Sequence, residues 1–113
     1  MTVRTVHVVA SDETLRSALV NRLQAAELVP PPRGDTLDHV YSSGVVVATT
    51  ADCPSERCAE LAAAGVRVVV LAPVPRQGER DRYLRAGAAA YLPMDVDGRE
   101  LVRSVRNVAT DAF

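Results

Sequence analysis

Residues 66–92, VRVVVLAPVPRQGERDRYLRAGAAAYL, decide the fold. Val66–Ala72 is apolar apart from Arg67, the pattern of a strand covered on both faces. Pro73–Gly78 punctuates a loop. Glu79–Ala86 reads as a polar helix, and Gly87 is the residue type that ends a helix in a left-handed turn. Ala88–Leu92 is the next strand. A strand, a helix and a strand in this order give two parallel strands joined by a crossover helix.

The same alternation extends to both ends. Val3–Ala10 is rich in β-branched residues and reads as a strand. Ser11 or Asp12 caps a helix that carries Leu15, Leu19, Leu23 and Ala26 and runs to about Glu27. Leu28–Gly34 holds three successive prolines, so a strand there is short and at a sheet edge. Asp35 or Thr36 opens a short helix with Leu37, Val40 and Tyr41, and Gly44 breaks it. Val45–Thr49 is a second fully apolar strand. Asp52 or Cys53 followed by Pro54 gives the cap-then-proline start of a helix, which Gly65 ends. Asp97 and Glu100 form a capping box for a last helix bearing Leu101, Val102, Val105 and Val108. The expected fold is α/β, a flavodoxin-like (CheY-like) doubly wound parallel sheet of five strands. Its strand order is 2-1-3-4-5, with a weak proline-rich edge strand and a shortened second helix. Ligands of such folds sit at the carboxyl ends of the strands, here Ala10–Asp12, Thr49–Asp52, Ala72–Pro73 and Pro93–Asp95.

The 113 residues suffice for one domain, 1–113, with its own core. The net charge of −1 gives no general attraction to nucleic acid or to an anionic membrane. No apolar run approaches the ~20 residues of a membrane span, no secretory start is visible, and a cytoplasmic location is expected. All 13 basic residues are arginine. Chemistry that needs a lysine ammonium is therefore excluded, including lysine Schiff bases, phosphate-loop lysines and a lysine that binds a transferred phosphoryl group. Cys53 and Cys58 are read as reduced and structural, because only His7 and His39 are available to complete a metal set of about four ligands. His7 is read as a strand histidine and His39 as exposed. No glycine-rich phosphate loop, nucleophile elbow or zincin motif occurs. No metal, cofactor or enzyme activity is expected.

Val68–Leu71, Leu84-Arg85-Ala86-Gly87-Ala88, Tyr91-Leu92 and the helix capped at Asp97 together resemble the receiver domains of response regulators. The nearest subgroup is the one that precedes a LuxR-type DNA-binding domain. Val8–Leu19 resembles the receiver N-terminus, and the likeness is weakest from Leu28 to Ser43. The resemblance implies an aspartyl-phosphate switch with four requirements. An acidic pair holds Mg²⁺, an aspartate accepts the phosphoryl group, and a hydroxyl and a lysine bind its oxygens. Hard dications want carboxylates, and a new anion wants fixed donors. Carried over onto this sequence, the acidic pair falls on Ala10 and Ser11, the acceptor on Thr49, the hydroxyl on Ala72 and the lysine on Met94. The chain departs from the pattern at every one of these positions. A one-residue shift would bring Asp12 into the pocket, but Asp12 is read as a helix cap. Asp52 is likewise read as a cap, with the rim as its other reading. Tyr91 stands at the aromatic switch position; a switching tyrosine and an ordinary edge tyrosine both fit.

The resemblance also implies a partner face on the fourth helix, fifth strand and fifth helix, where Arg80, Arg82 and Arg85 and then Arg99, Arg103 and Arg106 fall. The spacings of four and three put the second set on one helix face. The expectation is a phosphorylation-independent pseudo-receiver that acts through a homodimer, a partner or a small ligand in the vacated pocket. DNA is expected to be touched only through a C-terminal domain beyond this chain. A small flavodoxin-like cofactor binder or enzyme using the same rim is the alternative, and a ligand-free adaptor is a third reading.

Overall fold

The computed structural model describes residues 6–26 and 44–109. They form β1 (Val6–Val9), α1 (Glu13–Ala25), β2 (Val45–Thr49), α2 (Ser55–Ala63), β3 (Arg67–Ala72), α3 (Gln77–Ala86), β4 (Ala90–Pro93) and α4 (Gly98–Ala109). The four strands make one parallel sheet in the order β1-β2-β3-β4. This is the order expected of the first, third, fourth and fifth strands. The proline-rich edge strand, the short helix after it and His39 lie outside the described residues.

Alternation along β2 divides the core. Val45 and Val47 face α1 and α4, where they meet Leu19, Leu23, Leu101 and Val105. Val46 and Ala48 face the side of α2 and α3, where they meet Cys58, Leu61 and Tyr83. Both faces of β2 are buried throughout, so the apolar run Val45–Thr49 has nowhere to place a charge.

Element boundaries follow local chemistry, with departures from expectation at α2, α3, β4 and the cap of α4. Asp12 caps α1, its Oδ1 accepting from the Leu15 backbone N–H at 3.0 Å. The cap of α2 is Pro54, one residue later than expected, and no side chain bonds there. α3 starts at Gln77, two residues before the expected Glu79, because Arg76 is already extended and its carbonyl accepts from Arg80. β4 starts at Ala90 rather than Ala88, since the Ala88 N–H is spent on the Tyr83 carbonyl in the turn that closes α3. Of the predicted capping box, the Asp97 arm forms, accepting from the Arg99 N–H at 2.8 Å, while the Glu100 carboxylate faces Arg103 at 3.7 Å. Gly65 and Gly87 both take positive φ, 88° and 107°, closing α2 and α3. At Gly87 space is limiting as well, because a Cβ there would sit 2.6 Å from the Ala62 Cβ. That glycine lets α2 and α3 approach closely enough to cover one face of the sheet.

Candidate functional site

The parallel strands end together at one rim. There Ala10 and Ser11 leave β1, Thr49 ends β2, Ala72 ends β3 and Met94 follows β4. The Met94 N–H donates to the Ala72 carbonyl at 2.8 Å, which places the last two side by side. The six positions picked from the sequence divide. Ala10, Ser11, Thr49, Ala72 and Met94 stand on or beside the rim. Asp12 is turned away into the cap of α1.

Asp52 brings a carboxylate onto the rim. Its Oδ2 accepts from the Ser11 backbone N–H at 3.0 Å and from the Thr49 hydroxyl at 2.7 Å. Thr49 Oγ1 in turn accepts from the Asp52 N–H at 3.2 Å. The expectation that Asp52 caps α2 is therefore corrected. The chain makes a tight turn after β2, with the Asp52 and Cys53 N–H groups bonding the Thr49 carbonyl, and this turn folds the carboxylate back over the strand end. The Ser11 N–H, against some opposing desolvation, holds the Asp52 carboxyl below its usual value, with help from the Thr49 hydroxyl. Thr49 itself is only 4% exposed. Its hydroxyl hydrogen is committed to Asp52, and that carboxylate oxygen binds two donors. The rim is consequently less apolar than the residue types Ala10, Thr49, Ala72 and Met94 suggest.

Tyr91 is half-buried on β4, opposite Val70 in the register. Its hydroxyl donates to the Glu79 carboxylate and accepts from the Arg76 N–H at 3.3 Å, so the ring is tied to the first turn of α3. Burial first, and the Glu79 carboxylate second, push its phenol above the usual value. Its ring lies 5.9 Å from that of Tyr83. Tyr83 escaped the sequence reading. It is 4% exposed, and its hydroxyl donates to the Cys53 carbonyl at 2.7 Å, pinning the loop that carries Asp52 onto α3. The one signal for it was a large ring on an otherwise polar helix. Cys53 and Cys58 are free, buried thiols, and burial pushes Cys53 up to about 11, far from thiolate reactivity.

The two arginine sets are not brought together. Arg80, Arg82 and Arg85 are exposed on α3. Arg99, Arg103 and Arg106 belong to α4, on the other side of the sheet, where with Arg22 they line a groove against α1. A second, smaller cleft of 270 Å³ lies between the start of α2 and α3, lined by Ser55, Glu56, Glu79 and Arg82 among others. Neither cavity is lined by any of the six positions picked from the sequence. Among the described residues no three His, Cys, Asp or Glu side chains are grouped to hold a metal, and no helix is long and apolar enough to cross a membrane.

No protein-family model and no curated protein matches the chain. Solved structures do match. The receiver domain of the response regulator NarL from Mycobacterium tuberculosis is 18% identical, covers 96% of each chain and superposes with a TM-score of 0.75. A LuxR-family DNA-binding response regulator from Staphylococcus aureus is 17% identical over 95% of this chain and 99% of that one, with a TM-score of 0.67. A response regulator from Burkholderia pseudomallei, whose structure carries a phosphorylated aspartic acid and a calcium ion, is 14% identical over 94% of this chain and 68% of that one, with a TM-score of 0.72. The chain has the fold of response-regulator receiver domains; at these identities the likeness speaks for the fold.

Proposed function

We propose that this chain is a regulatory module with a receiver fold that works without aspartyl phosphorylation. One observation carries the reading. Where phosphoryl chemistry needs an acceptor and metal-holding carboxylates, β2 ends in Thr49 bonded to the folded-back carboxylate of Asp52. The lysine that clamps a transferred phosphoryl group has no counterpart in a chain without lysine. Asp52 accepts from the Ser11 N–H and from the Thr49 hydroxyl, so the loops after β1 and β2 are already joined. On this reading the module is held in one state, and its output changes when a partner binds.

Incubation with beryllofluoride and Mg²⁺, followed by amide NMR, tests the reading. The expected result is no saturable shift at Ser11, Thr49, Asp52 or Met94. Saturable shifts at those amides, or a mass increase of one phosphoryl group after acetyl phosphate, would overturn it.

The structural likeness to a LuxR-family DNA-binding regulator supports an output through a separate DNA-binding domain. For self-association we favour the α3 surface. Leu84, 38% exposed, stands there one turn from Arg80, and Val74, 63% exposed, lies in the loop leading into α3. Sedimentation is expected to show a dimer that Leu84→Glu converts to monomer. A wild-type chain that stays monomeric near millimolar concentration would remove the dimer from this proposal.

A further inference from the structure

The groove between α1 and α4 is lined by four arginines. Arg22 from α1 and Arg99, Arg103 and Arg106 from α4 surround it, and among the described residues no acidic side chain lines it. Among the described residues, only Arg103 of these four has a carboxylate within ion-pair distance, that of Glu100 at 3.7 Å. The guanidinium of Arg22 lies across Gly98, where a Cβ would overlap it. A glycine at the first turn of α4 thus lets an α1 arginine reach over to the α4 set. Between the arginines the lining is apolar, supplied by Ala25, Ala26 and Val102. The groove is open to solvent along its length and has a volume of 470 Å³, within the range of small-molecule sites. Arg99 and Arg106 are seven residues apart on one helix, so the charged wall runs roughly 10 Å.

We infer that this groove binds a small organic polyanion, a compact apolar or aromatic body bearing two or more phosphate or carboxylate groups. Guanidinium forks pair with both groups in bidentate fashion, and the apolar floor suits a body between them. A two-fold contact between copies through this face is disfavoured, because it would set four guanidinium groups against the same four. The inference is independent of the rim, since none of the rim positions lines the groove. A ligand here bridges α1 and α4, the two helices that cover one face of β1 and β2, and so stiffens that layer.

The experiment is an NMR titration that follows backbone amides, arginine Nε–H groups and the Val102 methyls. The probes are ATP, 1,2,3-propanetricarboxylate, adenosine and a 20-residue polyglutamate. The expected result is saturable shifts at Arg22, Val102 and Arg103 with ATP or the tricarboxylate and none with adenosine. The polyphosphate and polycarboxylate arms show which anion is preferred. Raising the salt above ~0.1 M, where the screening length falls to about 10 Å, weakens binding. Arg22→Gln with Arg103→Gln lowers affinity roughly tenfold or more. Gly98→Ala, which displaces only the mobile end of Arg22 and improves the helix, lowers it several-fold while the chain stays folded. Three results would overturn the inference. These are no saturation by either small anion, equal shifts at Arg80, Arg82 and Arg85, or binding of polyglutamate alone, which would make the groove a protein-docking surface instead.

Discussion

Tyr83→Ala is expected to lower the stability of the fold by about 4 kcal/mol, the usual range for removing a buried aromatic ring. At the entropy of unfolding of a domain this size, that corresponds to a fall of roughly 15 °C in Tm. The ring is 4% exposed and belongs to the cluster that holds α2 and α3 on the sheet, together with Cys58, Leu61 and Val70. Its loss leaves a cavity at the meeting point of both helices and deprives the Cys53 carbonyl of its donor. Tyr91→Phe is the matched control. The Tyr91 ring is only half-buried, and the change removes a single hydroxyl, so about 1 kcal/mol or less is expected. Urea unfolding of the two variants decides the matter. A Tyr83→Ala protein within 1 kcal/mol of wild type would mean that the ring does not organise this layer.

The phenol gives the same experiment an alkaline arm. Burial, first of all, pushes the Tyr83 hydroxyl up to about 12 from an ordinary value of 10. The folded chain therefore keeps this proton where the unfolded chain has lost it. Its contribution to stability is full below pH 10 and declines as pH rises from 10 toward 12. Tyr83→Phe removes that decline, at a cost of about 1 kcal/mol at neutral pH for the lost hydrogen bond. The buried thiol of Cys53, raised to about 11, gives its own decline starting near pH 9, so the comparison uses Tyr83→Phe against wild type in the same buffers.

The elements that patterning dictates were legible from residues alone. Val45–Thr49 has no polar side chain but Thr49, and it is the strand buried on both faces. Gly65 and Gly87 ended their helices as a missing Cβ permits, and Asp12 capped α1. What remained hidden depends on where a loop folds or a face turns. Asp52 has the right chemistry both for a cap and for the rim; the turn that closes on the Thr49 carbonyl decides between them, and it is a tertiary choice. Tyr83 and Leu84 are adjacent on a polar helix, and spacing alone cannot say which is buried. The i, i+4, i+7 spacing put Arg99, Arg103 and Arg106 on one face of α4, but that α1 lies beside it follows from packing of Leu19 and Leu23 against Leu101 and Val105. The resemblance to receivers pointed to the strand ends as the rim and to a partner face on α3, β4 and α4, and those two helices flank the edge strand β4 from either side of the sheet.

Asp52→Ala should show how far the rim depends on one carboxylate. Two donors, the Ser11 N–H at 3.0 Å and the Thr49 hydroxyl at 2.7 Å, converge on a single oxygen. Hydrogen bonds to a charged acceptor contribute about 1.5 kcal/mol each at the low end, so a loss of about 3 kcal/mol is expected. Removing the cap residue by Asp12→Ala deletes an exposed bond within one helix turn and should cost only about 1 kcal/mol. The pH dependence separates charge from shape. The folded carboxyl titrates below its ordinary 3.8, chiefly because of the Ser11 N–H, so the unfolded chain takes up the proton first on acidification. The stability that the charge confers is complete above about pH 4 and is lost as pH falls through the folded value. Urea unfolding at pH 7, 5 and 3 should therefore show a constant gap between wild type and Asp52→Ala at the two higher values and a smaller gap at pH 3. A gap that is absent at pH 7 would mean that the loops after β1 and β2 are held together by something other than this carboxylate. The case for a rim that is closed without phosphate would then fail with it.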